Sequence, residues 1–168
     1  MNDDQKVLMW RGLLDADQNA RYWRAMTLRY VRRERLAKIF LAILSSATVA
    51  GWSFWRDISL MWQSLSVVSA VVSVALPIFD VPKHVEAMGE LHEKWHQLLN
   101  EYETLWSVRA TMSNSEVQKR LAKLKQAEVE AAKKAVKLPN DDERLGAKTY
   151  NEVLRERHLP TPTPGAHA

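Results

Sequence analysis

The sequence lacks cysteine altogether in its 168 residues and has only five glycines. The absence of cysteine excludes a disulfide framework, a thiolate zinc site and a thiol nucleophile. No glycine-rich phosphate loop, Ser-His-Asp arrangement or dense carboxylate cluster is visible in the sequence. We therefore predict that the protein is not an enzyme and that it uses no cofactor.

Charge is absent from two long stretches. Residues 39–55 are 17 consecutive uncharged residues, residues 58–79 are 22 more, and only Arg56 and Asp57 separate them. As helices they would span about 25 Å and 33 Å, against about 30 Å of bilayer hydrocarbon. A buried helix of a soluble bundle would carry a charged outer stripe, and neither run has one. Aromatic residues typical of a membrane interface surround the turn between them: Trp52, Phe54, Trp55 and Trp62. We predict an all-α membrane protein with a two-helix transmembrane hairpin.

The basic residues before the first run predict the orientation of this hairpin. Seven basic residues lie between Arg21 and Lys38, against a single acid, Glu34. Basic residues that flank a crossing stay on the cytoplasmic side, so both chain ends are expected in the cytoplasm of a bacterial inner-membrane protein. The same residues are expected to contact the membrane surface and to attract anionic lipid. Those closest to the membrane are Arg29, Arg32, Arg33, Arg35 and Lys38.

Residues 1–38 are predicted to form cytoplasmic amphipathic and basic helices. Arginine and apolar residues alternate at helical spacing from about Asn19, which indicates a helix that enters the first crossing. Ahead of it, an apolar pattern predicts a short amphipathic helix that lies on lipid headgroups or packs against the cytoplasmic helices. That pattern consists of Val7, Leu8, Trp10, Leu13 and Leu14.

Residues 80–137 are predicted to form a long cytoplasmic helix or a helix pair. An apolar seam with coiled-coil spacing runs along it and is expected to join subunits. The seam consists of Met88, Leu91, Trp95, Leu98, Tyr102 and Leu105. Ser113 and Glu116 match a capping box, which either restarts a helix or marks a kink. A short helical segment at 138–158 and a disordered tail at 159–168 complete the prediction.

One string matches a metalloprotease motif. His92-Glu93-Lys94-Trp95-His96 reads H-E-x-x-H, which on a helix places two imidazoles and a carboxylate near a zinc ion. However, functional versions usually have uncharged residues at both x positions, and Trp95 lies on the apolar seam. A zinc hydrolase is therefore a remote alternative, and two histidines beside a packed seam are the simpler interpretation.

The second predicted crossing carries small and polar residues on one face. They recur at four-three-four-three spacing: Ser59, Gln63, Ser66, Ala70 and Ser73. Such a small-polar stripe should face protein or water rather than lipid. It either packs one membrane helix against another or, repeated around a ring of subunits, lines a pore. Two crossings are too few to enclose a channel alone, so a pore requires a homo-oligomer.

A second basic region between Lys119 and Lys137 is diluted by acids and contains no aromatic residue. A nucleic-acid reader would need a folded surface with stacking aromatics, so no nucleic-acid partner is expected.

The layout resembles a known bacterial family. Its matching pieces are Arg21-Tyr22-Trp23-Arg24, the Arg29–Arg35 cluster, Ser45-Ser46-Ala47, His92, and Tyr102-Glu103-Thr104-Leu105. Together, over roughly residues 19–110, they look like the SLATT family of two-transmembrane effectors that accompany nucleotide-sensing SMODS and SLOG modules. The resemblance implies a pore-forming or membrane-perturbing effector in antiviral defence, switched by a separate sensor protein, without catalytic residues.

These observations predict an oligomeric inner-membrane effector that permeabilises the bilayer when a partner or signal triggers it. The alternative is a non-conducting membrane anchor or scaffold that recruits a soluble partner through its cytoplasmic helices.

Overall fold

The protein is described by a computed structural model that covers residues 3–54, 67, 81–139 and 142–160. Within these residues four α-helices have defined bounds, and no strand is present. They are α1 (Asp3–Phe54), α2 (Val81–Val108), α3 (Asn114–Ala135) and α4 (Glu143–Glu156). The described part of the chain is therefore all-α, as the sequence predicts.

The first helix is longer than the sequence pattern indicates. We expected a short amphipathic helix followed by a second helix that begins at about Asn19 and enters the first crossing, but α1 runs without a break from Asp3 to Phe54. Its two acidic residues in the first turn, Asp3 and Asp4, suit the positive end of the helix dipole. No proline or positive-φ residue interrupts the segment, so the pattern changes we interpreted as helix ends are changes of environment along one helix.

The chain divides into two compact units. The first, which we call the helical body, comprises Met1–Met26 and Ala87–Ala168, and the second comprises Thr27–Glu86. The division that we predicted at residue 38 marks the start of the first crossing, and it stays a prediction. Both α1 and α2 contribute residues to each unit.

The helical body is built on contacts between antiparallel neighbours. Trp10 packs on Trp106 with ring centroids 5.4 Å apart, and Ala20 meets His92, so α1 and α2 run in opposite directions. On the other side of α2, the Tyr102 hydroxyl donates to Glu128 at 2.6 Å, and α3 likewise runs antiparallel to α2.

Apolar residues at helical spacing form the core of the body. In α1 the buried positions include Met9, Leu13, Ala16, Ala20 and Trp23, which repeat every three or four residues. α3 contributes Val117, Leu121, Leu124 and Ala131, and α4 contributes Leu145, Val153 and Leu154. Each fully buried large side chain stabilises the fold by about 1.5–3 kcal/mol.

Local capping chemistry accompanies the ends of the later helices. α2 ends at Val108, and Ser113 caps α3 with the predicted capping box: the Ser113 hydroxyl accepts from the Glu116 amide while the Glu116 carboxylate accepts from the Ser113 amide. Residues 80–137 thus contain a helix pair rather than one rod. The last helix, predicted within 138–158, is α4, whose N-cap is Asp142.

Candidate functional site

The predicted seam lies inside the helical body. All six of its side chains are at most 6% exposed, and Met88, Leu91 and Tyr102 are fully buried. The same chain supplies this burial, because α1 covers the seam from one side and α3 from the other. We therefore correct its assignment: Met88, Leu91, Trp95, Leu98, Tyr102 and Leu105 form an intramolecular core, and their surface is not free for a second subunit.

The H-E-x-x-H string serves the packing of α2 against α1. His92 Nδ1 lies 2.8 Å from the Ala20 carbonyl oxygen, so this nitrogen carries the proton and donates to the backbone of α1. His96 Nδ1 lies 3.2 Å from the Asn100 amide, one turn further along α2. Among the described residues no three His, Cys, Asp or Glu side chains gather as a metal site would require. His92 of the motif is thus a contact between α2 and α1.

An ionic network around the buried Asp17, which the sequence analysis missed, ties three helices together. The Asp17 side chain is only 3% exposed and accepts from Arg21 Nε at 2.6 Å and Arg157 Nη2 at 3.0 Å. Arg157 also reaches Glu103 at 2.7 Å, and Arg21 reaches Glu156 at 2.5 Å. The signal was present in the sequence, because Asp17 follows Leu13 by four residues on the apolar face of α1.

A second polar contact crosses from α2 to α3. The Tyr102 hydroxyl donates to Glu128, whose other oxygen accepts from Lys125 at 2.7 Å. Burial, followed by this hydrogen bond, raises the pKa of Tyr102 well above its usual range. Burial also raises the pKa of the neighbouring Asp15. The Tyr102–Glu128 hydrogen bond thus links α2 to α3 within the helical body.

The basic residues predicted at the membrane surface are all exposed in the second unit. We call Arg29, Arg32, Arg33, Arg35 and Lys38 the basic collar. Lys38 pairs with Glu34 at 2.6 Å, one turn earlier on α1. The Arg33 guanidinium lies 5.8 Å from the centre of the Tyr30 ring. The collar therefore presents its guanidinium groups outward.

Large apolar side chains in the same segment are exposed as well. Leu36 is 66% exposed, Phe40 47% and Ile43 61%, and we call these three the apolar stripe. In the helical body, by contrast, most large apolar side chains are buried, although Val7, Leu8, Val129 and Val136 are exposed. Exposed apolar residues that lie next to one another are typical of an interaction surface.

The described residues contain no helix with enough length and apolar character to cross a membrane. The predicted second crossing, residues 58–79, lies outside the described residues except for residue 67, and the whole small-polar stripe lies outside them too. The side chains of the interfacial aromatics Trp52, Phe54, Trp55 and Trp62 are likewise outside the described set.

A shallow cleft of about 240 Å³ lies between α2 and α3 in the helical body. Its floor is Leu105 and Leu124, and its rim mixes the acid Glu101 with the bases Arg120 and Lys123. Because acidic and basic side chains share the rim and attract each other, the cleft does not favour a ligand of either charge. We therefore take the collar and the apolar stripe, rather than this cleft, as the candidate functional site.

Comparison of the chain with protein-family models, with curated proteins and with solved structures found no match.

Proposed function

We propose that the protein is a membrane-bound effector whose helical body controls a two-helix membrane hairpin. The observation that carries this proposal is the change of exposed surface along α1, from the basic collar to the apolar stripe. Exposed arginines followed at once by exposed apolar residues fit a helix that passes from headgroups into hydrocarbon. In water such exposed apolar side chains would favour aggregation, because no described residue covers Leu36, Phe40 or Ile43.

The hairpin in this proposal comprises residues 39–55 and 58–79, with both chain ends in the cytoplasm of a bacterial cell. The continuity of α1 supports this proposal, since residues of the helical body and the apolar stripe belong to the same helix. An effector needs two arrangements of its crossings whose balance a trigger shifts. A partner that binds the helical body is the source of that trigger in our proposal, and the activity is permeabilisation in antiviral defence.

The absence of cysteine allows a clean test of the topology. Single variants Asp57→Cys, at the predicted turn, and Glu101→Cys, on the body, would be treated with a membrane-impermeant maleimide in spheroplasts. We expect Asp57→Cys to react from outside and Glu101→Cys only after lysis. Equal reaction of both variants before lysis, or release of the protein by alkaline carbonate, would contradict a membrane hairpin.

Permeabilisation needs its own experiment. Overexpression with a membrane-potential dye should show depolarisation, and simultaneous replacement of Ser59, Gln63, Ser66 and Ser73 by alanine should suppress it. The matched control replaces four exposed body residues, Glu101, Lys119, Lys123 and Lys148, by alanine and should leave depolarisation intact. If cells keep their potential when the protein is produced together with its genomic neighbours, the pore is ruled out.

The second candidate is a non-conducting membrane anchor or scaffold. The internal position of the seam favours it, because the predicted subunit contact through the seam is used up by the fold of a single chain. In this case the alanine replacement of the small-polar stripe leaves function unchanged, whereas loss of the helical body abolishes partner recruitment. Cross-linking in native membranes separates the two candidates, since a pore requires several subunits and an anchor does not.

A further inference from the structure

The net charge of the protein is concentrated in one short segment of α1. The chain has 24 basic and 20 acidic residues, a net charge of +4. Residues 27–43 contain five basic residues and one acid, also a net charge of +4, so the rest of the chain is balanced. An anionic partner is therefore attracted to this segment rather than to the protein as a whole.

The acid in this segment does not weaken the arginines. Glu34 pairs with Lys38 on the same helix and its side chain is only 17% exposed. The remaining charges belong to the four exposed arginines of the collar: Arg29, Arg32, Arg33 and Arg35. A guanidinium group is planar and binds two phosphate oxygens at once, which an ammonium group does not.

Arginines and apolar residues share one face of the helix. Arg29, Arg33, Leu36, Phe40 and Ile43 follow one another at spacings of four and three, so their side chains lie in one line. At the α-helical rise, Arg33 and Leu36 are separated by about 4.5 Å along the axis, and Leu36 and Ile43 by about 10 Å. The helix changes from charged to apolar side chains within one turn, a distance similar to that between the phosphate of a lipid and the start of its acyl chains.

We propose that this face binds an anionic phospholipid, with the headgroup phosphate on the collar arginines and the acyl chains along the apolar stripe. The inference rests on the proposed function for the membrane location, and it adds the residues that hold the phosphate and the acyl chains of a bound lipid. A second copy of the chain fits this face less well. Two copies in the same membrane orientation would run parallel, so a symmetric contact would set arginine against arginine, and the balanced remainder of the protein offers no acidic excess.

The test uses full-length protein in detergent, to which phosphatidylglycerol or phosphatidylcholine is added. Binding of phosphatidylglycerol should raise the unfolding temperature and should weaken with added salt, whereas phosphatidylcholine should have little effect. Replacing all four collar arginines by glutamine should reduce the affinity for phosphatidylglycerol on the order of 100-fold, because each basic residue near an anionic surface contributes to attraction. The matched control removes four exposed charges of α3 and should keep the wild-type affinity: Lys119→Gln, Arg120→Gln, Lys123→Gln and Lys133→Gln.

A variant with lysine at the four arginine positions keeps the positive charge. It tests whether the glutamine variant loses lipid affinity through the loss of charge or through misfolding. It should retain the preference for phosphatidylglycerol with reduced affinity, because single-point ammonium contacts replace the bidentate ones. Equal affinity of the wild type and the glutamine variant for phosphatidylglycerol would overturn the inference while the protein remains membrane-integral. Release of the wild type by alkaline carbonate would instead overturn the proposed function.

The Phe40→Cys variant tests for a second copy. Lipid on the stripe predicts that phosphatidylglycerol protects the introduced thiol from a hydrophobic maleimide and that no disulfide dimer forms. A disulfide dimer through this thiol that persists in excess phosphatidylglycerol would show that a second copy covers the stripe, and the inference would fail.

Discussion

Arg157 Nη2 lies 3.0 Å from the Asp17 carboxylate, although 140 residues separate the two in the sequence. Asp17 lies on the buried face of α1, and Arg157 is the C-cap of α4. The same guanidinium reaches Glu103 of α2, so one side chain joins three helices. This contact fixes the end of α4 against the two helices that also enter the second unit.

Replacing both Asp17 and Arg157 should destabilise the helical body by less than the sum of the two single replacements. Arg157→Met leaves Asp17 buried with Arg21 as its remaining partner and should reduce the free energy of unfolding by about 2 kcal/mol. The double variant Asp17→Leu with Arg157→Met should lose less than the sum of the single changes, with a coupling of about 1–2 kcal/mol. Urea unfolding followed by circular dichroism provides the measurement. Strict additivity would contradict the ionic contact.

A matched control for this cycle is Lys148→Met. Lys148 pairs with Glu152 on the surface of α4 at 3.8 Å, and its side chain is 71% exposed. Exposed pairs of this kind contribute little, so the change should be below about 0.5 kcal/mol.

Two glycines should respond to alanine with opposite signs. A Cβ on Gly12 would lie 2.5 Å from the hydroxyl oxygen of Tyr102 and 2.7 Å from its Cε1, within a fully buried contact between α1 and α2. Gly12→Ala should therefore destabilise the protein by about 1–3 kcal/mol. At Gly89 of α2 nothing lies within 4 Å, so Gly89→Ala should stabilise by about 0.5–1 kcal/mol through helix propensity. Thermal unfolding of both variants gives the comparison, and destabilisation by Gly89→Ala would contradict the open space.

His158, which follows the end of α4 with a left-handed backbone conformation, is a position where a substitution to glycine should stabilise the protein. It adopts φ 55° and follows the C-cap of α4. The His158 amide donates to the Arg155 carbonyl at 3.2 Å and the Leu159 amide to the Leu154 carbonyl at 2.8 Å, which is the Schellman pattern. A left-handed conformation is costly for a residue with a Cβ, so His158→Gly should stabilise by about 0.5–1 kcal/mol. His158→Val, with its branched Cβ, should destabilise instead, and an equal effect of both changes would argue against this conformation.

The sequence predicted helices and caps better than it predicted partners. The spacing of the seam identified a buried face of α2, and Ser113 with Glu116 identified the start of α3. What covers a buried face depends on contacts between distant segments, and spacing within one helix holds no information about them. The seam was therefore assigned to a second subunit although α1 and α3 cover it. The Asp17–Arg157 pair escaped notice for the same reason, whereas the exposure of the collar followed from local charge density.

The pH dependence of stability should separate two carboxylates of the helical body that have opposite shifts. The hydrogen bond from Arg21 lowers the pKa of Glu156 below its ordinary value of 4.5, whereas burial raises the pKa of Asp15 above 3.8. A lowered pKa means that the folded state binds the proton less well than the unfolded state. The Glu156 contribution is thus fully present above pH 4.5 and is lost as the pH falls through its folded-state pKa. Asp15 has the reverse sign: its ionised form is disfavoured in the fold, so stability declines as the pH rises through its raised pKa.

Two isosteric variants measure the opposite effects of these two carboxylate charges on stability. At pH 7, Glu156→Gln should have a lower unfolding temperature than the wild type, and Asp15→Asn a higher one, because each removes a charge with a known effect on the fold. Both differences should shrink below pH 4.5 as the wild-type carboxylates gain their protons, and thermal scans from pH 3 to 7 would follow this convergence. The Glu156 difference should also weaken with salt, since that side chain is exposed and its ion pair is screened. If the difference in unfolding temperature between the wild type and Glu156→Gln stayed constant down to pH 3, the charge of Glu156 would not be what holds the end of α4 to Arg21.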